Sequence, residues 1–210
     1  MKLFKNVILD KSRARKELKE FKTLLDDPTR PELKEREDIL PFFAAHEQLL
    51  ALMGTYNSNI ENYDRIATEF DIFGDHTADV AIGDSKEHQY CFIEFEDATK
   101  SSIFKKKGKK ATLEWSDRFD HGYSQVIDWL LWLENQKNTL AYVQRFGVGE
   151  VQYVGLLIVG RDRYLTDPSL RQRLTWRSEQ VIVCSRKLHC ITFDKLYSDL
   201  NSRLRIWSRR

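Results

Sequence analysis

An almost uninterrupted apolar run, VQYVGLLIVG at residues 151–160, limits most strongly what this chain can fold into. A strand with apolar side chains on both sides needs cover on both faces, as in the interior of a sheet that helices flank. The 210 residues suffice for one such core but not by default for two full-sized domains. We therefore predict an α/β fold with a sheet flanked by helices.

Helical periodicity marks the segments around this strand. Residues 10–25 place Asp10 as a candidate N-cap before the apolar Leu18, Phe21 and Leu24. Pro41 predicts a kink or a fresh start inside a second helical region at about 32–53. The remaining predicted helices are SDRFDHGYSQVIDWLLWLENQK at 116–137, DPSLRQRLTWRSEQ at 167–180 and FDKLYSDLNSRL at 193–204.

Strand patterns follow one another between residues 66 and 97, separated by turn formers. The segments are IATEFDIFG, ADVAIGD and QYCFIEFED, with GDHT and GDSKEH between them. Short connections favour antiparallel pairing, so we predict an antiparallel meander. Two further short strands are predicted near the C-terminus, VIVCS at 181–185 and HCITF at 189–193.

The third meander strand carries two carboxylates on one face, because side chains alternate and Glu94 and Glu96 lie two positions apart. With the hairpin turn centred near residue 86, Asp79 of the preceding strand lies opposite Glu94. Three converging carboxylates repel one another unless a hard divalent cation neutralises them. The alternative is that both glutamates face solvent beside lysines, with Asp79 as a turn residue.

Basic residues are concentrated although the net charge is only +2. Such clusters attract phosphate polyanions, but a lysine run is also typical of a solvated loop, and arginines on a helix also form local ion pairs. The candidates for nucleic-acid contact are Lys105, Lys106, Lys107, Lys109, Lys110, Arg161, Arg163, Arg171 and Arg173, and the C-terminal tail adds Arg203, Arg205, Arg209 and Arg210.

Cysteine usage and hydropathy indicate a cytoplasmic protein. Cys91, Cys184 and Cys190 are odd in number, which favours reduced and mostly buried thiols over a disulfide framework. No segment approaches the roughly 20 apolar residues that a membrane span needs, and the N-terminus lacks a signal-peptide pattern. We expect no membrane partner.

The motif order resembles a known nuclease superfamily. TADVAIGD followed by YCFIEFEDA is similar to the Asp…Glu-x-Lys signature of PD-(D/E)XK nucleases, and HGYSQVIDW is similar to their glutamine-bearing helix. More closely, residues 32–200 resemble the Shedu family of bacterial anti-phage nuclease-like proteins. That resemblance is carried by EREDILPFFAAHEQLL, FIEFEDATKSSIF, WSDRFDHGYSQVIDW, VGLLIVGRD and ITFDKLYSDL.

The resemblance implies a restriction-endonuclease-like mixed sheet and a set of site residues. Asp79 and Glu94 would bind Mg²⁺ or Mn²⁺, and Gln125 would complete the pocket. Glu96 stands where the signature has lysine, and it would serve as a further ligand or a general base. The supporting candidates are Glu35, Glu69, His121 and Lys100, for which a helix-surface, packing or loop role is the alternative.

The expected function is that of an Mg²⁺-dependent deoxyribonuclease in anti-phage defence. The alternative is a catalytically silent module of the same fold that binds nucleic acid or regulates a partner, since Glu96 alters the signature. DNA is the expected partner, and a homo-oligomer is left open. The predicted organisation is an N-terminal helical extension at 1–30 and a nuclease-like domain with a basic tail at 31–210.

Overall fold

The computed structural model describes residues 4–74, 76–109, 111–183 and 185–207. Its strands, in chain order, are β1 (Lys5–Asn6), β2 (Arg65–Phe73), β3 (His76–Asp84), β4 (Gln89–Phe95), β5 (Phe104–Lys105), β6 (Glu114–Trp115), β7 (Gln152–Ile158), β8 (Ile182–Val183) and β9 (Arg186–Ile191). In the described residues, a seven-stranded sheet has the order β1-β2-β3-β4-β7-β9-β8, and β5 and β6 form a separate hairpin.

The sheet is mixed, as predicted. Strands β2, β3 and β4 form the antiparallel meander, whereas β4 pairs in parallel with β7 and β7 in parallel with β9. The apolar run that opens at Val151 supplies β7, which is hydrogen-bonded on both sides in the middle of the sheet. Its position explains why neither of its faces carries the polar alternation of an exposed strand.

Helices lie on both faces of the sheet. They are α1 (Lys11–Asp26), α2 (Leu40–Ala44), α3 (Glu47–Met53), α4 (Asp117–Gln136), α5 (Leu140–Phe146), α6 (Pro168–Gln180) and α7 (Phe193–Trp207). The N-cap predicted at Asp10 is confirmed, since its side chain accepts from Ser12 N, and Asp167 caps α6 in the same way by accepting from Ser169 N. A π-helical turn, Glu35–Ile39, precedes α2, so the fresh start predicted around Pro41 is confirmed.

Two hydrophobic cores fill the space between the sheet and its two helix layers. Phe43, Phe95 and Phe193 lie in the core that α1, α2, α3 and α7 cover. Phe92 and Trp129 lie in the opposite core, under α4, α5 and α6. Because side chains alternate along β4, its even-numbered residues face α4, and this places Glu94 and Glu96 on the α4 side.

The segment predicted as an N-terminal extension belongs to the first core. Phe21 of α1 is fully buried, with ring centroids 5.7 Å from Phe42 and 5.3 Å from Phe43. Strand β1 pairs with β2 at the edge of the sheet. Residues before and after position 30 therefore share one hydrophobic core.

Cys91 and Cys190 are buried and reduced, and burial raises the pKa of Cys91 to about 12. Cys184 lies outside the described residues, as do Lys110, Arg209 and Arg210. Arg203 lies on α7 and donates to the carbonyl of Thr55. Among the described residues, no helix has both the length and the apolar character that a membrane crossing requires.

Candidate active site

Asp79 and Glu94 face each other where the β3–β4 pairing ends. Val80 pairs with Ile93, so the next residues outward, Asp79 and Glu94, lie across from each other on the α4 side, as predicted. The Phe95 N–H donates to Asp79 Oδ2 at 2.8 Å. This bond fixes the Asp79 carboxylate beside the end of β4.

Both carboxyl groups are costly to ionise in the absence of a cation. Glu94 is only 7 % exposed, and the described residues give its buried Oε2 no hydrogen-bond partner. Burial raises the pKa of Glu94, and the charges of Asp79 and Glu96 raise it further. Burial also raises the pKa of Asp79, against the opposing effect of the Phe95 N–H. This pair would gain most from a positive ion.

Glu96 occupies a different environment, although it is only 1 % exposed. Its Oε1 lies 3.0 Å from Nδ1 of His121, and its Oε2 accepts from Nη1 of Arg118 at 3.1 Å. The imidazole ring of His121 is otherwise largely exposed, with 64 % of its side chain accessible. Both Glu96 oxygens are therefore engaged by side chains of α4.

Gly122 allows α4 to pack closely against the Glu96 side chain. A Cβ atom on Gly122 would lie 2.9 Å from Glu96 Cγ and 2.7 Å from Leu157 Cδ1. Glycine inside a helix costs roughly 0.5–1 kcal/mol relative to alanine, so the position needs a packing reason. The close approach of α4 to the sheet is that reason.

Arg118, which is not among the site residues predicted from the sequence, links three carboxylates. Its Nη1 also lies 3.2 Å from Glu35 Oε2, and its Nε lies 3.6 Å from Asp97 Oδ2. Asp97 in turn accepts from the Glu35 backbone N–H at 2.9 Å. The signal was present in the helical spacing, because Arg118 lies one turn before His121.

Glu35 lies at the start of the π-helical turn, where burial raises its pKa and the charge of Glu96 adds to this. Glu69 has a left-handed backbone, with φ of 50°, at the position of β2 that faces Asp79. Its negative charge contributes to the raised pKa of Asp79. The first helical region and the first meander strand thus both bring carboxylates close to Asp79. We refer to the side chains of Glu35, Glu69, Asp79, Glu94, Glu96 and Asp97 together as the carboxylate group.

Gln125 follows Gly122 on the inner side of α4. Its Oε1 is buried, and the described residues give it no hydrogen-bond partner. Lys100 is exposed on the turn after β4, where its backbone N–H donates to Glu32 Oε1. The positive charge beside Glu96 comes from Arg118 and not from Lys100.

The predicted nucleic-acid contacts fall into several environments. Lys105 and Lys107 form ion pairs with Asp117 and Glu114, while Lys106 and Lys109 are exposed on the β5–β6 hairpin. Arg163 is exposed in the turn after β7. The two α6 arginines bond backbone carbonyls, Arg171 that of Asp162 and Arg173 that of Leu113.

Arg161 has a structural position that does not fit the predicted contact with phosphate. Its side chain is buried and pairs with Asp194, with Nε 2.9 Å from Oδ2. Its Nη2 donates to the carbonyl of Leu25 at 2.7 Å. A buried guanidinium that joins α1 to the start of α7 stabilises the fold, so we leave it out of the interface.

The donor set fits a cation held by two carboxylates better than by three. Asp79 and Glu94 supply oxygen ligands of the kind that Mg²⁺ takes from proteins, and Glu94 Oε2 is available. Glu96 is held by Arg118 and His121. Within the described part of the chain, no three His, Cys, Asp or Glu side chains are arranged as a complete metal site.

Comparison with known proteins gives a family match. The family model described as Shedu protein SduA, C-terminal, matches residues 32–197. The matched region begins before the π-helical turn and ends within α7, so it includes every residue of the carboxylate group. No curated protein matches the chain.

Proposed function

The chain belongs to the Shedu family, in its SduA C-terminal part, and from this premise we propose that it is a metal-dependent nuclease that hydrolyses DNA in defence against phage. The family membership agrees with the resemblance that the motifs indicated. Assignment to the PD-(D/E)XK superfamily stays a prediction. The carboxylate group under α4 would carry the chemistry.

Asp79 and Glu94 would hold Mg²⁺ or Mn²⁺ between β3 and β4. When bound, a divalent ion stabilises the negative charge that develops on a phosphate ester and lowers the pKa of water. The two carboxylates would then be neutralised without taking up protons. Gln125, with its buried and unpartnered Oε1, would orient a water molecule or a polar group of the substrate.

Glu96 would act through the two side chains that it holds. In the resembled signature a lysine supplies positive charge at the scissile phosphate, and here the half-exposed Arg118 supplies it, anchored by Glu96. His121 is oriented by its contact with Glu96, and its ring is exposed, so it would serve as the proton carrier of the site. Glu96 thus positions the Arg118 guanidinium and the His121 imidazole, which a lysine in its place would not do.

The close pairing of the half-buried Asp79 with the buried Glu94 is the single observation that carries this proposal. Folding places two carboxyl groups together in a poorly solvated position, and Glu94 Oε2 lacks a hydrogen-bond partner among the described residues. Such an arrangement opposes stability, and carboxyl groups with strongly raised pKa values cluster at functional sites.

The proposal is tested by incubating the purified chain with supercoiled plasmid and Mg²⁺ or Mn²⁺. Nicked and linear products should form with either metal and should be absent with a chelator. Asp79→Asn and Glu94→Gln should each reduce the rate at least about 100-fold, because each removes a charged ligand. Glu87→Gln, an exposed glutamate in the β3–β4 turn, is the matched control and should cleave normally.

A second candidate is a catalytically silent module that binds nucleic acid. It is favoured by the engagement of Glu96 with Arg118 and His121, which leaves two carboxylates for a metal. In the plasmid assay this module would retard the DNA without cutting it under any metal condition. That result would replace the nuclease proposal.

A further inference from the structure

A groove on the α4 side of the molecule lies apart from the carboxylate group. It has a volume of about 470 Å³, within the range of about 300–1,000 Å³ that is usual for ligand sites. It is formed by β6, α6 and the residue that follows α6, and its lining residues are Trp115, Gln172, Arg173, Trp176, Arg177 and Val181. Trp176 is 65 % exposed, which is unusual for a residue with so large an apolar surface.

Aromatic rings hold the two arginines of the groove in place. The Arg173 guanidinium lies 4.5 Å from the ring centroid of Phe104 and 5.3 Å from that of Trp115. The Arg177 guanidinium lies 4.8 Å from Trp115 and 4.4 Å from Tyr123. Stacking restricts both side chains before a ligand arrives, so less entropy is lost on binding.

The positive charge of this surface is only loosely compensated. Arg173 donates to the backbone carbonyl of Leu113, which leaves its charge intact, and the Asp120 carboxylate lies 4.0 Å from Arg177. Lys106 and Lys109 are exposed on the neighbouring β5–β6 hairpin. The groove therefore combines an exposed indole with cations suited to phosphate.

We propose that this groove binds an unpaired nucleobase together with its phosphate, with the base stacked on Trp176 and the phosphate held by Arg173 and Arg177. Gln172 offers an amide to the edge of the base. A base within a duplex is already stacked and paired, so the groove selects a single-stranded segment. This inference rests on the proposed function and narrows its substrate to DNA with an unpaired stretch.

The groove and the carboxylate group share helix α4. Phe119 and Tyr123 face Arg177 on one side of its first turns, whereas Arg118 and Gly122 meet Glu96 on another. The groove and the carboxylates are thus connected through the first turns of one helix.

The test measures binding of fluorescein-labelled oligothymidylate by anisotropy, with a duplex of equal length in parallel and a chelator present. Trp176→Ala should weaken single-strand binding about tenfold, because base stacking on an aromatic ring contributes about that factor or more. Trp176→Phe should restore most of the affinity, and duplex binding should change little. Trp132→Ala is the matched control, since this α4 tryptophan is 37 % exposed outside the groove.

The outcomes separate this inference from the proposed function. If Trp176→Ala binds the single strand as the wild type does while plasmid is still cleaved, the groove assignment is overturned and the nuclease stands. If Trp176→Ala weakens binding but no metal supports cleavage, the groove stands and the nuclease fails. If Trp176→Ala instead converts a dimer into a monomer in light scattering, the groove is a contact between copies of the chain and not a base site.

Discussion

At the scale of single residues, the candidate site is a balance of charges that only tertiary contacts reveal. Period-two alternation and a short turn were enough to place Asp79 opposite Glu94. The partner of Glu96 was not predictable in this way, because Arg118 reaches it from a helix 22 positions away in sequence. Local spacing predicts which side chains share a face but not which distant side chain neutralises them.

The buried charge of Glu94 leads to a stability prediction for Glu94→Gln. The folded chain binds the Glu94 proton more tightly than the unfolded chain, so wild-type stability is full below the ordinary carboxyl pKa and declines as the pH rises toward the raised value. Glutamine has no proton to release, so the variant lacks this decline in stability. With a chelator present, the variant should melt like the wild type near pH 4 and about 2 °C or more higher at pH 8.

Thermal melts followed by circular dichroism at both pH values measure this difference. Glu87→Gln is again the control, and its Tm should follow that of the wild type at each pH because the exposed Glu87 carboxylate is solvated. A Glu94→Gln protein that melts below the wild type at both pH values would contradict the claim that the carboxylate is destabilising when it is charged.

At the scale of elements, long periodic segments were predictable and short ones were not. The predicted segment 116–137 became α4 (Asp117–Gln136), because its apolar stripe and Ser116 cap specify a helix locally. The short α5 (Leu140–Phe146) and the two-residue strands β5 and β6 were missed. Elements of this length depend on the packing around them, which periodicity does not encode.

The contact of α4 with the sheet leads to a prediction for Gly122→Ala. The new methyl group would press on Glu96 and Leu157, at a cost of about 1–3 kcal/mol, while alanine regains up to about 1 kcal/mol of helix propensity. The net free energy of unfolding should fall by about 1 kcal/mol in urea denaturation. Cleavage should fall as well, because Glu96 cannot shift without moving Arg118.

Ser124→Ala is the matched control for this helix, since Ser124 is exposed two positions away. Its change raises helix propensity without a clash, so it should be neutral or slightly stabilising. If Gly122→Ala were stabilised to the same degree, the close approach of α4 to Glu96 would not constrain the helix.

At the scale of the whole molecule, the sheet carries one helix layer on each face, and the two layers differ in their roles at the site. The α4 layer supplies Arg118 and His121, which contact Glu96. The opposite layer packs its aromatic core against the reverse side of β4, with the Phe43 and Phe95 rings stacked 4.5 Å apart. The register of β3 with β4 is thus fixed by apolar contacts, and the site inherits its geometry from them.

The membership of α1 in that opposite layer gives the last prediction, which concerns removal of residues 1–30. The deletion would uncover the apolar surfaces of α3 and α7, so the remaining chain should show no cooperative thermal transition by circular dichroism. In the full chain, Phe21→Ala should lower the free energy of unfolding by about 3–5 kcal/mol. Thr23→Ala, at an exposed position of the same helix, should change it by no more than about 0.5 kcal/mol. A truncated chain that still melts cooperatively and cleaves plasmid would show that neither the fold nor the activity needs α1.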